Sequence, residues 1–154
     1  MVLFEGELFA DYHQFYLADA VSEPDLPTQW SDEALRRRVL ASDGVLVVST
    51  ARNVSVPVRV ELHDTRPTID LSLTDHAVEA TLRTSGEIVI AGLTDYLPDA
   101  ARTKVPAGEL RALAISTGFG TLSRNRLKGD DRYVIHLWLA GGADVVVHRQ
   151  WDGN

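Results

Sequence analysis

Five histidines, His13, His63, His76, His136 and His148, are the residues of this chain best suited to hold a metal or move a proton. No two stand at the i, i+4 spacing that places imidazoles together on a helix, and the chain has no cysteine to join them. His136 and His148 fall on neighbouring predicted strands and are expected as cross-strand neighbours, with a structural rather than a ligand role. No metal site is expected. Nucleophilic catalysis has no better footing, because there is no G-x-S-x-G elbow and no cysteine nucleophile. Gly118-Phe119-Gly120 lacks the third glycine and the following helix of a dinucleotide loop, so it reads as a strand-end turn. Arg124, Arg126 and Lys128 sit beside Asp130 and Asp131, as a solvated hairpin loop would. The chemistry therefore predicts a binding protein: no catalytic residues, no cofactor, no enzyme.

Length and charge narrow the class further. A chain of 154 residues can bury a substantial core as one domain spanning residues 1–154, and without cysteine it needs no disulfide. The first residues carry acids where a signal peptide would carry Lys or Arg, and no apolar run approaches a membrane span. A cytoplasmic location is the expectation. It leaves the acceptor pattern at Asn53-Val54-Ser55 idle. The net charge of -7 is uneven: residues 1–43 hold nine acids against three arginines, while 102–154 hold five against eight basic residues. Such a front half repels phosphates and disfavours direct nucleic-acid binding, whereas a basic protein suits it. Homo-oligomerisation is left open.

The elements that would position these residues are mostly strands. Leu3 to Leu17 alternates and reads as a first strand, and Glu23-Pro24-Asp25-Leu26-Pro27 breaks it into a loop. At Trp30-Ser31-Asp32-Glu33, Ser31 can cap a helix, the acids match its positive end and Trp30 can staple onto Leu35. This predicts a helix from Asp32 to about Ser42, stopped by Gly44. Val45 to Val48 is a continuous apolar run, hence a central strand. Alternation then recurs at Val56 to Leu62, where Pro57 marks an edge or a strand start, at Ile69 to Leu73 and at Val78 to Leu82. Thr84-Ser85-Gly86 and Gly141-Gly142 read as hairpin turns, and Thr94 to Lys104 as a loop with a short helical turn. About eight strands with regular turns predict a mainly β fold, an antiparallel β-sandwich with one α-helix inserted between its first and second strands.

Four short motifs recur in order and spacing: Tyr12-His13-Gln14-Phe15, Trp30-Ser31-Asp32-Glu33-Ala34, Ser42-Asp43-Gly44 and Ala51-Arg52-Asn53. Together they resemble the competence protein J family, whose members inhibit a DNA-entry nuclease. The resemblance covers Asp11 to about Leu62 and returns faintly at Val105-Pro106-Ala107-Gly108-Glu109-Leu110, where Leu110 stands in place of the family's aromatic. After Thr65 the chain looks longer than typical relatives. The resemblance implies a cytoplasmic bacterial protein, immunity-like in role, that binds and silences a nuclease. On this reading an acidic surface meets a basic nuclease, and Asp32, Glu33, Asp95, Tyr96 and Asp99 are the candidate partner contacts. Tyr12, His13, Gln14, Phe15 and Trp30 carry the family pattern. The alternative is a small-molecule or carbohydrate-binding sandwich with a pocket lined by Tyr12, Gln14, Tyr16 and Trp30.

Overall fold

Alternating strands have one apolar face each to bury, and two sheets laid face to face satisfy that demand. The structure is a computed structural model and describes residues 1–153. In chain order it contains β1 (Val2–Phe9), β2 (Gln14–Asp19), α1 (Asp32–Arg37), β3 (Val39–Ser42), β4 (Val45–Ser49), β5 (Ser55–His63) and β6 (His76–Thr84). There follow β7 (Glu87–Gly92), β8 (Ala101–Lys104), β9 (Gly108–Thr117), β10 (Arg132–Leu139) and β11 (Val146–Arg149). One sheet has the order β1-β5-β10-β9-β6-β11, the other β3-β4-β2-β7-β8. The mainly β sandwich with one helix is as expected.

The core lies between the sheets. Phe15, Leu17, Leu46, Val48, Ile88 and Ile90 face Val58, Val60, Ala80, Leu110, Ile135 and Leu137 across it. The alternate residues of the five-stranded sheet are apolar too: Tyr16, Ala18, Val45, Val47, Val89 and Ala91 form a second cluster. Leu26 and Trp30, from the loop ahead of α1, cover this outer face. This explains why β4 reads as an unbroken apolar run: both its faces are buried. On the far side of the molecule Leu113, Ile115 and Trp138 are covered by Ile69 and Leu71.

Several expectations need correction. The described residues form eleven strands rather than about eight, and among them β5 and β10 run parallel while every other pair is antiparallel. Leu3 to Leu17 is two strands in different sheets, broken by a 3-10 turn at Asp11–His13, so the helix lies between the second and third strands. The helix itself stops at Arg37, where Arg38 takes the left-handed cap conformation (φ 63°) and β-branched Val39 begins an edge strand on β4. Gly44 (φ 78°) instead turns the β3–β4 hairpin.

Of the two placements expected for Pro57, an edge or a strand start, the second is the one observed. Pro57 is the third residue of β5, one residue before pairing with β10 begins at Val58, so its missing N–H costs no bond there. Leu71–Leu73 is a 3-10 turn capped by Asp70 rather than a strand. Neither predicted hairpin pairs its flanking strands. Thr84-Ser85-Gly86 carries the chain from one sheet to the other, and β11 returns to β6 rather than to β10. Short turns also serve sheet-to-sheet crossings in a sandwich, so turn residues alone did not say which strands pair.

Candidate protein-binding site

The turn between β1 and β2 holds two consecutive residues in left-handed backbone conformation, Tyr12 (φ 57°) and His13 (φ 60°). For residues bearing a Cβ this costs roughly 1–2 kcal/mol each, so the surroundings must enforce it. They do. Thr50 N–H donates to the His13 carbonyl at 2.8 Å, and His13 Nδ1 lies 3.2 Å from the Thr50 carbonyl. Asp11 accepts from the Tyr12 N–H at 3.1 Å and from the Thr94 hydroxyl at 3.1 Å, and the Gln14 amide donates to the Tyr12 carbonyl at 3.2 Å. The outcome is that Tyr12 is 67% exposed, while Phe15 of the same tetrapeptide is fully buried core.

Tyr12, His13 and Gln14 line an open cleft of about 470 Å³ together with Trp30, Leu35, Arg38 and Arg126. Arg38 and Arg126 (φ 59°) are also left-handed, so of the five such non-glycine residues among those described, four border this one cleft. Backbone strain is concentrated at a single place. Its basic rim was not legible in the sequence, because Arg126 arrives from a loop more than a hundred residues after Tyr12.

Beneath the cleft a buried network fixes the Ala51-Arg52 segment. The Tyr133 hydroxyl accepts from Ala51 N–H and donates to Asp131, both at 2.7 Å, and the Arg52 guanidinium pairs with the other oxygen of the fully buried Asp131. Burial pushes the Tyr133 hydroxyl far above its ordinary pKa, with the neighbouring Asp131 adding to the effect. Ala51 and Arg52 are therefore framework, and the sequence reading missed their partner Asp131. Residues 124–131 are a solvated loop at Arg124 and Lys128 but end in the core at Asp131.

The proposed acidic contacts fall into two groups at opposite edges of the five-stranded sheet. Asp32 and Glu33 are exposed on the first turn of α1, next to edge strand β3, where the Ser31 hydroxyl accepts from Ala34 N–H at 3.1 Å as cap. Glu33 also pairs with Arg37. Asp95, Tyr96 and Asp99 precede edge strand β8; Tyr96 is 70% exposed, whereas Asp95 turns inward and accepts from Gly92 N–H at 2.7 Å. Asp95 also lines a second cleft of about 520 Å³ with Tyr16, Leu26, Leu97 and Arg102. Of the alternative pocket, Tyr12, Gln14 and Trp30 share the first cleft and Tyr16 lines the second.

The histidines do not pair as expected. His136 and His148 are separated by β9 and β6, and His148 meets Glu79 at 3.0 Å. The ring beside His136 is His63, because the parallel register aligns β5 with β10. Burial lowers the pKa of His136, and likewise that of His76, whose Nδ1 accepts from Trp151 N–H while its other nitrogen meets the Arg37 carbonyl at 2.7 Å.

Among known proteins, no family model matches the chain and no curated protein sequence matches it significantly. Solved structures do match. ComJ from Bacillus subtilis, described as an inhibitor of the DNA degrading activity of NucA, superposes with a TM-score of 0.70 at 19% identity, over 91% of this chain and 98% of ComJ. The chain has the ComJ fold. A second structure, described as Crocagin biosynthetic gene J, matches with a TM-score of 0.61 at 19% identity, over 92% of this chain and 98% of its own. The likeness to ComJ covers 91% of this chain, so the ComJ-like part is not confined to Asp11–Leu62 and extends past Thr65, where the sequence resemblance is faint.

Proposed function

We propose that this chain is a non-enzymatic inhibitor that binds and silences a basic nuclease, of the DNA-entry type or a related DNase toxin, in the cytoplasm. The observation that carries this reading is the likeness to ComJ along almost the whole of both chains. It is supported by where the strain lies: Tyr12 is presented to solvent from a left-handed backbone conformation, and strained residues cluster at functional sites. Trp30 lines the same cleft, Asp32 and Glu33 follow it on the first turn of α1 with two carboxylates, and Asp95, Tyr96 and Asp99 would be a second contact group at the far edge of the sheet. Carboxylates occupying the phosphate positions of a nuclease groove would compete with DNA and speed encounter. Among the described residues no helix is long and apolar enough to cross a membrane.

The test is titration of the purified chain into a DNA-degradation assay with the DNA-entry nuclease encoded in the same genome. Activity should vanish near one equivalent of inhibitor, and the paired substitution Asp32→Ala with Glu33→Ala should weaken inhibition tenfold or more, about 1.4 kcal/mol. Full nuclease activity at large molar excess of the chain, with no complex on gel filtration, overturns the reading. The second reading, a ligand-binding cleft, is favoured by Tyr12, Gln14 and Trp30 sharing one opening. Ligand-detected NMR against sugars and small amides would reveal it through perturbed Tyr12 and Trp30 signals, and their silence discards it.

A further inference from the structure

We propose that Glu61, His63 and His136 bind one divalent first-row transition-metal ion on the outer face of the six-stranded sheet. The parallel register of β5 and β10 sets His136 beside Glu61 and Trp138 beside His63. Glu61 and His63 are two residues apart on β5 and so share a face, while Val60 and Ile135 point into the core. One donor atom from each of the three lies within 4.8 Å of the other two.

The distances suit coordination. His63 Nε2 and His136 Nδ1 are 2.9 Å apart. With metal–nitrogen bonds of roughly 2.0–2.1 Å, that separation corresponds to an angle of about 90° at the ion, the cis angle of an octahedral site. A tetrahedral ion needs the nitrogens about 0.4 Å further apart, within reach of a small ring rotation. Glu61 Oε1 lies 3.9 Å from His63 Nε2, inside the span of the three donor atoms. Its other oxygen, Oε2, accepts from Arg59 Nε at 2.9 Å, and Arg59 also pairs with Glu5. Arg59 thus orients the carboxylate while leaving Oε1 free for the ion, as the outer partners of metal ligands do.

The donor chemistry selects the ion. Two imidazoles and one carboxylate suit Zn²⁺, Ni²⁺, Co²⁺ or Fe²⁺, whereas Ca²⁺ and Mg²⁺ want oxygen throughout. Without an ion the two ring nitrogens are joined by an N–H···N bond, and on metal entry that hydrogen moves to the other nitrogen of its own ring, so that both neutral imidazoles present a lone pair to the ion. His63 and Glu61 keep side-chain exposures of 25% and 21%, so the remaining coordination positions open to water. Because this face is opposite the Tyr12–Trp30 cleft, the site stands or falls separately from the nuclease reading.

The test uses the full chain freed of metal with chelator, titrated calorimetrically with ZnCl₂ and NiCl₂, with CoCl₂ absorption reporting the ligands. One ion per chain and a cobalt spectrum with imidazole ligation are expected. His63→Ala and Glu61→Gln should each weaken binding by about tenfold or more. His13→Ala and His148→Ala should leave it unchanged. His136 is buried and its removal puts folding at risk, so the decisive variants are those of His63 and Glu61 whose thermal melts match the parent. Absence of saturable binding, or retention of full affinity in both His63→Ala and Glu61→Gln, overturns the proposal. So does loss in His148→Ala alone, which would place the ion at Glu79.

Discussion

Tyr12 shows how a residue can be legible in type and opaque in role. Its alternation with Leu8 and Ala10 reads as strand, yet a left-handed turn pulls it out of both sheets, and nothing in its side chain announces that conformation. Tyr12→Gly removes the steric cost of a positive φ and should raise stability by about 1 kcal/mol, measured as urea midpoint, while weakening nuclease inhibition. A stability loss instead would make Tyr12 a framework residue. Asp19 is a second case. It is 4% exposed, and burial alone would raise its carboxyl, but bonds from Ser22 and Ser85 outweigh this and hold it at about 2, below the ordinary 3.8. A depressed folded pKa gives stability that is present above about pH 4 and lost as pH falls toward 2. The shift corresponds to about 2 kcal/mol. The urea-midpoint gap between the parent and Asp19→Asn should therefore be widest near pH 6 and narrow between pH 4 and 2; a constant gap refutes the assignment.

At the scale of elements, local chemistry located the helix start and misjudged its end. Ser31 caps as its type predicts, because the cap bond spans only three residues. The end depends on β3 pairing with β4, a decision taken between strands: Val39 to Ser42 could continue a helix or form an edge, and the adjacent apolar β4 recruits it as strand. The same logic hid β8, a four-residue edge strand that exists through its pairing with β7. With six residues α1 has little intrinsic stability, so its cap matters more than in a long helix. Ser31→Ala should cost about 1 kcal/mol in global stability by chemical denaturation. Because the cap also holds Asp32 and Glu33 in place, the same variant should weaken nuclease inhibition in the DNA-degradation assay. Unchanged inhibition with the stability loss intact would remove α1 from the interface.

For the whole molecule, the sandwich was legible because alternation and turn spacing report burial strand by strand, while the pairing order was not, since β5 with β10 and β6 with β11 join segments some seventy residues apart. The acidic front half was legible as a count and needs a structural discount. Glu5 pairs with Arg59, Asp19 is buried among serines, Asp11 holds the Tyr12 turn and Glu33 meets Arg37. Those charges are partly taken up by the fold, and Arg38 and Arg126 make the cleft itself basic at its rim. What remains for a partner is a net charge of -7 with exposed carboxylates at Asp32 and Asp99 flanking the outer face of the smaller sheet. If this field steers a basic nuclease, association should slow steeply with salt while dissociation changes little, because screening acts over about 8–10 Å and affects encounter more than the formed contact. Stopped-flow association between about 20 and 300 mM NaCl should show roughly a tenfold or larger fall in on-rate. Asp32→Asn with Asp99→Asn should flatten that dependence. A salt-independent on-rate would instead point to the apolar contacts of Tyr12, Trp30 and Tyr96 as the basis of recognition, with the acids serving solubility alone.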